Sequence, residues 1–191
     1  NIGELCFALY TPEGDSIVLS TGIIVHVHTM SEAIKYMIRQ GYEDDPGIEP
    51  GDVFCNNDPV IGDVHTTDVA TFVPIFVDGE LVSWAGGVTH QVDIGASVPG
   101  HDPVQTQNRF EDGYHIPAEK IGENDAIYKI HRLRSQMAVR TPMFWDLDEK
   151  ARVAGCHMIR HAVERIVREE GIDYYKQFIR EVVEEGRRIF R

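Results

Sequence analysis

The sequence predicts an α+β fold: a mixed, mainly antiparallel β core built round a central hairpin at about 69–89, followed by C-terminal helices. Two observations carry this. Asp78-Gly79 is a dipeptide that favours the type I′ hairpin turn, and apolar, β-branched runs flank it at 69–77 and 81–89. Beyond about residue 124 the apolar residues form helical stripes among many charges. The implied division is a β-rich region over 1–123 with one helix at about 30–40, and a helical region over 124–191.

Taken in order, residues 5–10 and 17–20 read as a first strand pair, with Pro12-Glu13-Gly14-Asp15 as the turn. Residues 22–28 (GIIVHVH) read as a further extended run that sets His26 and His28 on one face. That pair reads either as extra ligands or substrate contacts, or as a polar strand face, and the last is favoured. Thr29 and Glu32 have capping-box spacing, and Met30, Ala33, Ile34, Met37 and Ile38 recur at helical spacing up to Gly41. An acidic, Pro- and Gly-rich loop at 42–51 precedes a short strand at 53–55. Asn57-Asp58-Pro59 favours a tight turn. Pro74 argues against an uninterrupted central strand. Residues 96–123, with Pro99, Gly100, Pro103, Gly113, Pro117 and Gly122, read as a long loop that is functional or meets another surface. Three helices are expected after it: one capped by Asp125 and ended by Thr141-Pro142, one from Asp148 to Glu170, and one from Asp173 onward.

The hairpin fixes a register in which His90 lies opposite Thr67 and diagonal to His65, on one face. Asp68 then has the wrong parity. If His65, Asp68 and His90 are to converge, the ladder must break. A bulge at Gly86-Gly87 would do it, as would a turn over 63–68. Two imidazoles and a carboxylate at the open end of a hairpin suit a divalent metal with positions left for substrate. The plainer reading is a hydrogen-bonded polar loop.

Composition narrows the function. The chain has 191 residues, 42% hydrophobic and 26% charged, with a net charge of −13. That acidity and the lack of a basic patch argue against nucleic acid. No apolar run is long enough to span a membrane. Cys6, Cys55 and Cys156 are far apart, which fits reduced thiols in the cytoplasm, and Cys55 and Cys156 have no activating neighbour in sequence. His157 and His161 share a helix face but lack the glutamate of HExxH, and Arg160 and Arg165 disfavour a cation there. No glycine-rich phosphate loop is present, so no nucleotide site is assigned. The chain starts at Asn1 close to a strand pattern and stops at Arg191 within a helical one, so it reads as part of a longer subunit.

Several motifs together resemble the hydantoinase B / acetone carboxylase alpha-subunit family. They are Asn57-Asp58-Pro59; Gly62-Asp63-Val64-His65 with Asp68-Val69; the hairpin wording from Phe76 to Leu81; and Trp84 to His90. Asp93-Ile94-Gly95, Pro99-Gly100 and Val27 to Met30 also match. Segments from Arg140 to Trp145 and from Leu147 to Arg152 resemble the acetone carboxylase branch, and Gly62-Asp63-Val64-His65 stands where the hydantoinase and oxoprolinase branches show Gly-Gly-Thr-His.

The resemblance implies a cytoplasmic enzyme of three subunit types that uses ATP to join a ketone such as acetone to bicarbonate, giving a β-keto acid such as acetoacetate. It implies a hydantoinase A-like beta subunit that handles ATP and a small gamma subunit. It places manganese, with Fe2+ and Zn2+ as alternatives, on His65, Asp68 and His90. Asp63, Asn57, Asp58, His28 and Asp93 are further candidates for proton transfer or for orienting the ligands. The rival enzyme is a hydantoin- or oxoproline-opening subunit. The non-enzymatic rival is a metal-stabilised assembly module. An Fe(II) oxygenase is disfavoured because its spacing is H-x-D, not H-x-x-D.

Overall fold

The computed structural model describes residues 4–20, 22–99 and 106–189. Gly100, Pro103 and the two chain ends, cited above, lie outside the described residues. Seven strands form one antiparallel sheet: β1 (Leu5–Tyr10), β2 (Ser16–Leu19), β3 (Val53–Asn56), β4 (Asp68–Val77), β5 (Glu80–His90), β6 (Glu119–Glu123) and β7 (Ala126–Ile127). Their order is β2-β1-β5-β4-β3-β6-β7. Helix α1 (Val25–Arg39) covers one face, and α3 (Pro142–Glu170) and α4 (Ile172–Ile189) cover the other; α2 (Lys129–Ala138) packs on α3. The α+β expectation therefore holds.

The period of two in β4 and β5 sorts side chains between two cores. Ala70, Phe72, Trp84 and Val88 meet Met30, Ile34 and Met37 of α1. Val69, Val73, Ile75 and Ala85 meet Trp145, Cys156, Val163 and Tyr175 from α3 and α4. Both faces of these central strands are buried, which is why their sequence is almost continuously apolar.

The turn residues Asp78 and Gly79 have φ of 51° and 82°, as a type I′ turn requires. Val77 pairs with Glu80 and Phe76 with Leu81, but Ile75 pairs with Ser83. Val82 is the extra residue of a bulge, and from there to the strand ends every pair shifts by one. The parity break is real but lies beside the turn, not at Gly86-Gly87. Those glycines stay in a regular ladder because neighbours cross closely over them. A Cβ on Gly86 would sit 2.9 Å from the Met30 sulfur, and one on Gly87 would sit 2.4 Å from the Phe7 ring.

Several sequence expectations are corrected. The run 22–28 is not a strand: α1 begins at Val25, and the helix has no side-chain cap at Ile24. His26, Thr29, Met30, Ala33, Ile34 and Met37 form a buried helical stripe, and burial of that stripe outweighs the β preference of Ile and Val. Thr29 is an interior residue whose hydroxyl donates to the His26 carbonyl at 3.2 Å. Pro74 does not interrupt β4; β3 pairing stops at Phe54–Phe72, so Pro74 has a paired neighbour on one side only. The long loop contains β6, which adds to the second edge of β3 and buries Ile121.

Asp125 caps no helix. It sits beside Asn124 in the β6–β7 turn, both at positive φ, and accepts from Arg160 at 2.6 Å. α3 starts at Pro142 instead of Asp148, because proline suits the first helical position. His157 Nε2 lies 3.4 Å from that same Asp125, in keeping with a surface role.

All three cysteines are free and buried. Burial pushes the Cys156 thiol up to about 12 and the Cys55 thiol higher still, against the opposing pull of the Arg152 guanidinium. Alkylation with iodoacetamide under native conditions followed by peptide mapping should therefore leave Cys6, Cys55 and Cys156 unmodified, with all three labelled after denaturation. Rapid native labelling of Cys55 would contradict their assignment as inert core residues.

Candidate metal centre

His65, Asp68 and His90 converge, and they do so through two breaks in the ladder. The Val82 bulge sets Asp68 directly opposite His90 at the end of the hairpin. Residues 65–68 also form a tight turn, closed by Asp68 N–H donating to the His65 carbonyl at 3.1 Å. That turn brings residues three apart to one side, so His65 Nε2 lies 3.3 Å from Asp68 Oδ2. The two imidazoles meet edge to face, with centroids 5.2 Å apart. One ligand atom from each of the three residues falls within 4.8 Å of the others, the spacing that one ion can bridge.

Each imidazole is oriented from behind. The Thr67 hydroxyl bonds His65 Nδ1. Glu4, just ahead of β1, places Oε2 3.5 Å from His90 Nδ1, and His90 N–H donates to the Glu4 carbonyl at 3.2 Å. These contacts favour Nε2 of each ring as the inward atom. His26, in the first turn of α1, is buried at 4% exposure, and its Nδ1 lies 4.0 Å from Asp68 Oδ2.

Burial pushes the Asp68 carboxyl up to about 7, and the Glu4 carboxylate adds to that. Burial also holds the Asp63 carboxyl well above the usual range, with Asp68 and Asp58 contributing and the Val64 N–H opposing. The same burial lowers His26, with His90 adding and Glu4 opposing. Among the described residues no lysine or arginine pairs with Glu4, Asp63 or Asp68. A carboxylate and two imidazoles, an unpartnered buried imidazole nitrogen at their edge and, among the described residues, no lysine or arginine paired with Asp68 are what a divalent ion would complete.

The other candidate residues divide sharply. Asn57 is a brace: its amide donates to the carbonyls of Thr66 (2.7 Å) and Tyr114 (2.9 Å), and its oxygen accepts from Ile116 N–H (2.6 Å). Asp58 caps the short turn at Pro59–Ile61 and binds Arg109 at 2.8 Å. Asp93 accepts from Gly95 N–H and from the backbone and guanidinium of Arg140. These three have structural partners for their oxygens. Asp63, within reach of the Asp68 charge, is the one further carboxyl with a strongly shifted proton.

His28 is exposed, and the helix separates it from His26 by roughly 200°. Glu4 and Thr67 were not read as site residues from the sequence, and His26 was considered only with His28, as half of a pair on a strand face. For His26 the signal was present: the stripe running back from Met37 through Met30 reaches residue 26 when extended one turn.

A family model for hydantoinase B/oxoprolinase matches residues 1–191, and the chain belongs to that family. The acetone carboxylase alpha subunit of Xanthobacter autotrophicus is 54% identical over 97% of this chain and 24% of its own length. The acetophenone carboxylase delta subunit of Aromatoleum aromaticum is 32% identical over 95% of this chain and 26% of its own. A nucleotide-free acetone carboxylase structure superposes with a TM-score of 0.93 at 53% identity, covering 97% of this chain and 24% of that one. The chain thus spans about a quarter of the length of these relatives. No helix among the described residues is long and apolar enough to cross a membrane.

Proposed function

We propose that this chain forms the metal-bearing part of the catalytic subunit of an ATP-dependent ketone carboxylase, with acetone as substrate and acetoacetate as product. The convergence of His65, Asp68 and His90 at the hairpin end carries the reading, supported by the 54% identity to an acetone carboxylase alpha subunit. Manganese tolerates mixed nitrogen and oxygen ligation. Once bound, the ion would supply Lewis-acid charge to the oxygen of an enolate, which a weakly acidic methyl ketone needs.

The chain's own residues hold and orient. Thr67 and Glu4 fix the rings of His65 and His90. Asp63, whose carboxyl is held well above the usual range by burial and by Asp68 and Asp58, is the candidate for proton transfer beside the ligands. Activation by ATP falls to a hydantoinase A-like partner, with a small third subunit completing a cytoplasmic assembly.

The decisive experiment uses the purified complex with metal analysis, a ketone, labelled bicarbonate and MgATP. Ketone-dependent label in an acid-stable β-keto acid is expected. Hydrolysis of a hydantoin or 5-oxoproline, without ketone-dependent fixation, would replace this reading by the ring-opening one.

A further inference from the structure

We propose that His26 is a positioning residue of the metal centre, donating from Nδ1–H to Asp68 Oδ2 and so fixing the ligand carboxylate. The proposal rests on the metal reading above and adds a residue from a different element, α1, on the far side of Asp68 from the hairpin.

Three observations support it. First, His26 is buried and its Nδ1 has no hydrogen-bond partner, and a buried polar group left unpartnered is destabilising. Second, the nearest carboxylate oxygen is Asp68 Oδ2, at 4.0 Å, the same oxygen that faces His65 Nε2 at 3.3 Å. A closing movement of roughly 1 Å would make a charge-assisted hydrogen bond. Third, His26 lies outside the three-residue group whose ligand atoms fall within 4.8 Å of one another, so it meets the ligand and not the ion. The two histidine ligands already have partners behind them, Thr67 and Glu4. His26 gives Asp68 the same support.

The helix register makes this a designed approach. His26 heads the stripe of Met30, Ala33, Ile34 and Met37 that anchors α1 on the sheet, so its ring is held by the packing of the helix. A metal-bound carboxylate must keep one oxygen aimed at the ion. A donor on that carboxylate limits its rotation and typically changes metal affinity by about 10–100-fold.

The test is the Mn2+ dissociation constant of the full-length subunit in its complex, read from the EPR signal of free Mn2+, for His26→Ala, His26→Asn and His26→Gln. The Asn amide nitrogen occupies the place of Nδ1, and the Gln amide nitrogen that of Nε2. Ala should weaken binding about 10–100-fold, Asn should restore most of it, and Gln should not. Pulsed EPR should count the same imidazole nitrogens on the ion in the parent and the Asn variant. Should the Ala variant fail to fold, the Asn and Gln pair decides. Parental affinity in His26→Ala, equal rescue by Gln and Asn, or loss of one imidazole nitrogen in His26→Asn would each overturn the positioning role. A parent protein that holds no metal would overturn the metal reading itself, and this inference with it.

Discussion

Replacing His65, Asp68 or His90 by Ala is expected to remove the metal from the full-length protein while its circular dichroism and unfolding midpoint stay near those of the parent. The loss should exceed the roughly 10–100-fold typical of a partner behind a ligand, because each change deletes a bond to the ion itself. The fold should survive because none of the three side chains is needed to hold the sheet. The hairpin is secured by ten cross-strand pairs and by the two apolar cores. Asp68 is moreover a buried carboxyl whose ionisation the metal-free site disfavours, so its removal relieves a charge burden. Stoichiometric metal in the triple variant would refute the ligand assignment. Unfolding or dissociation of the complex in the single variants would favour the metal-stabilised assembly reading over a catalytic centre.

Much of this site was legible because turn chemistry is local. Asp78-Gly79 fixes the hairpin, and simple counting then shows that Asp68 must change face if it is to join the histidines. The turn over 63–68 was legible, but where the bulge lies was not. Val82 carries no mark of a bulge, whereas Gly86-Gly87 carries a strong one that is explained instead by Met30, Tyr10 and Phe7 crossing the strand. Long-range packing, not local preference, decides such positions.

The same holds for 22–28. Its Ile and Val residues favour a strand, but the face that α1 buries begins at His26, and a helix there completes the core. His26 and His28, read as one pair on a strand face, are thereby separated: His28 is exposed, and His26 is buried beside Asp68. Thr141-Pro142 shows a further limit. A proline that ends one helix also begins the next, and the sequence pattern alone registers only the stop.

Asn57→Ala is expected to lower stability by about 3 kcal/mol, near 1 kcal/mol for each of three buried side-chain hydrogen bonds. The residue is fully buried, so water does not replace those partners, and its own N–H adds a fourth tie to the Ile116 carbonyl at 3.0 Å. Asn57 joins two segments distant in sequence. One is the turn that carries His65, through the Thr66 carbonyl; the other is the 114–116 stretch that runs into β6. Cutting the link should therefore loosen the His65 turn and weaken Mn2+ binding along with the unfolding midpoint. Asn57→Asp should be worse than Ala, because a carboxylate keeps the acceptor for Ile116 N–H but sets a charge against the Thr66 and Tyr114 carbonyls. Urea unfolding and Mn2+ titration of the full-length protein measure both effects. A parental midpoint and parental metal affinity, combined with lost turnover, would show that Asn57 contacts substrate instead of bracing the site.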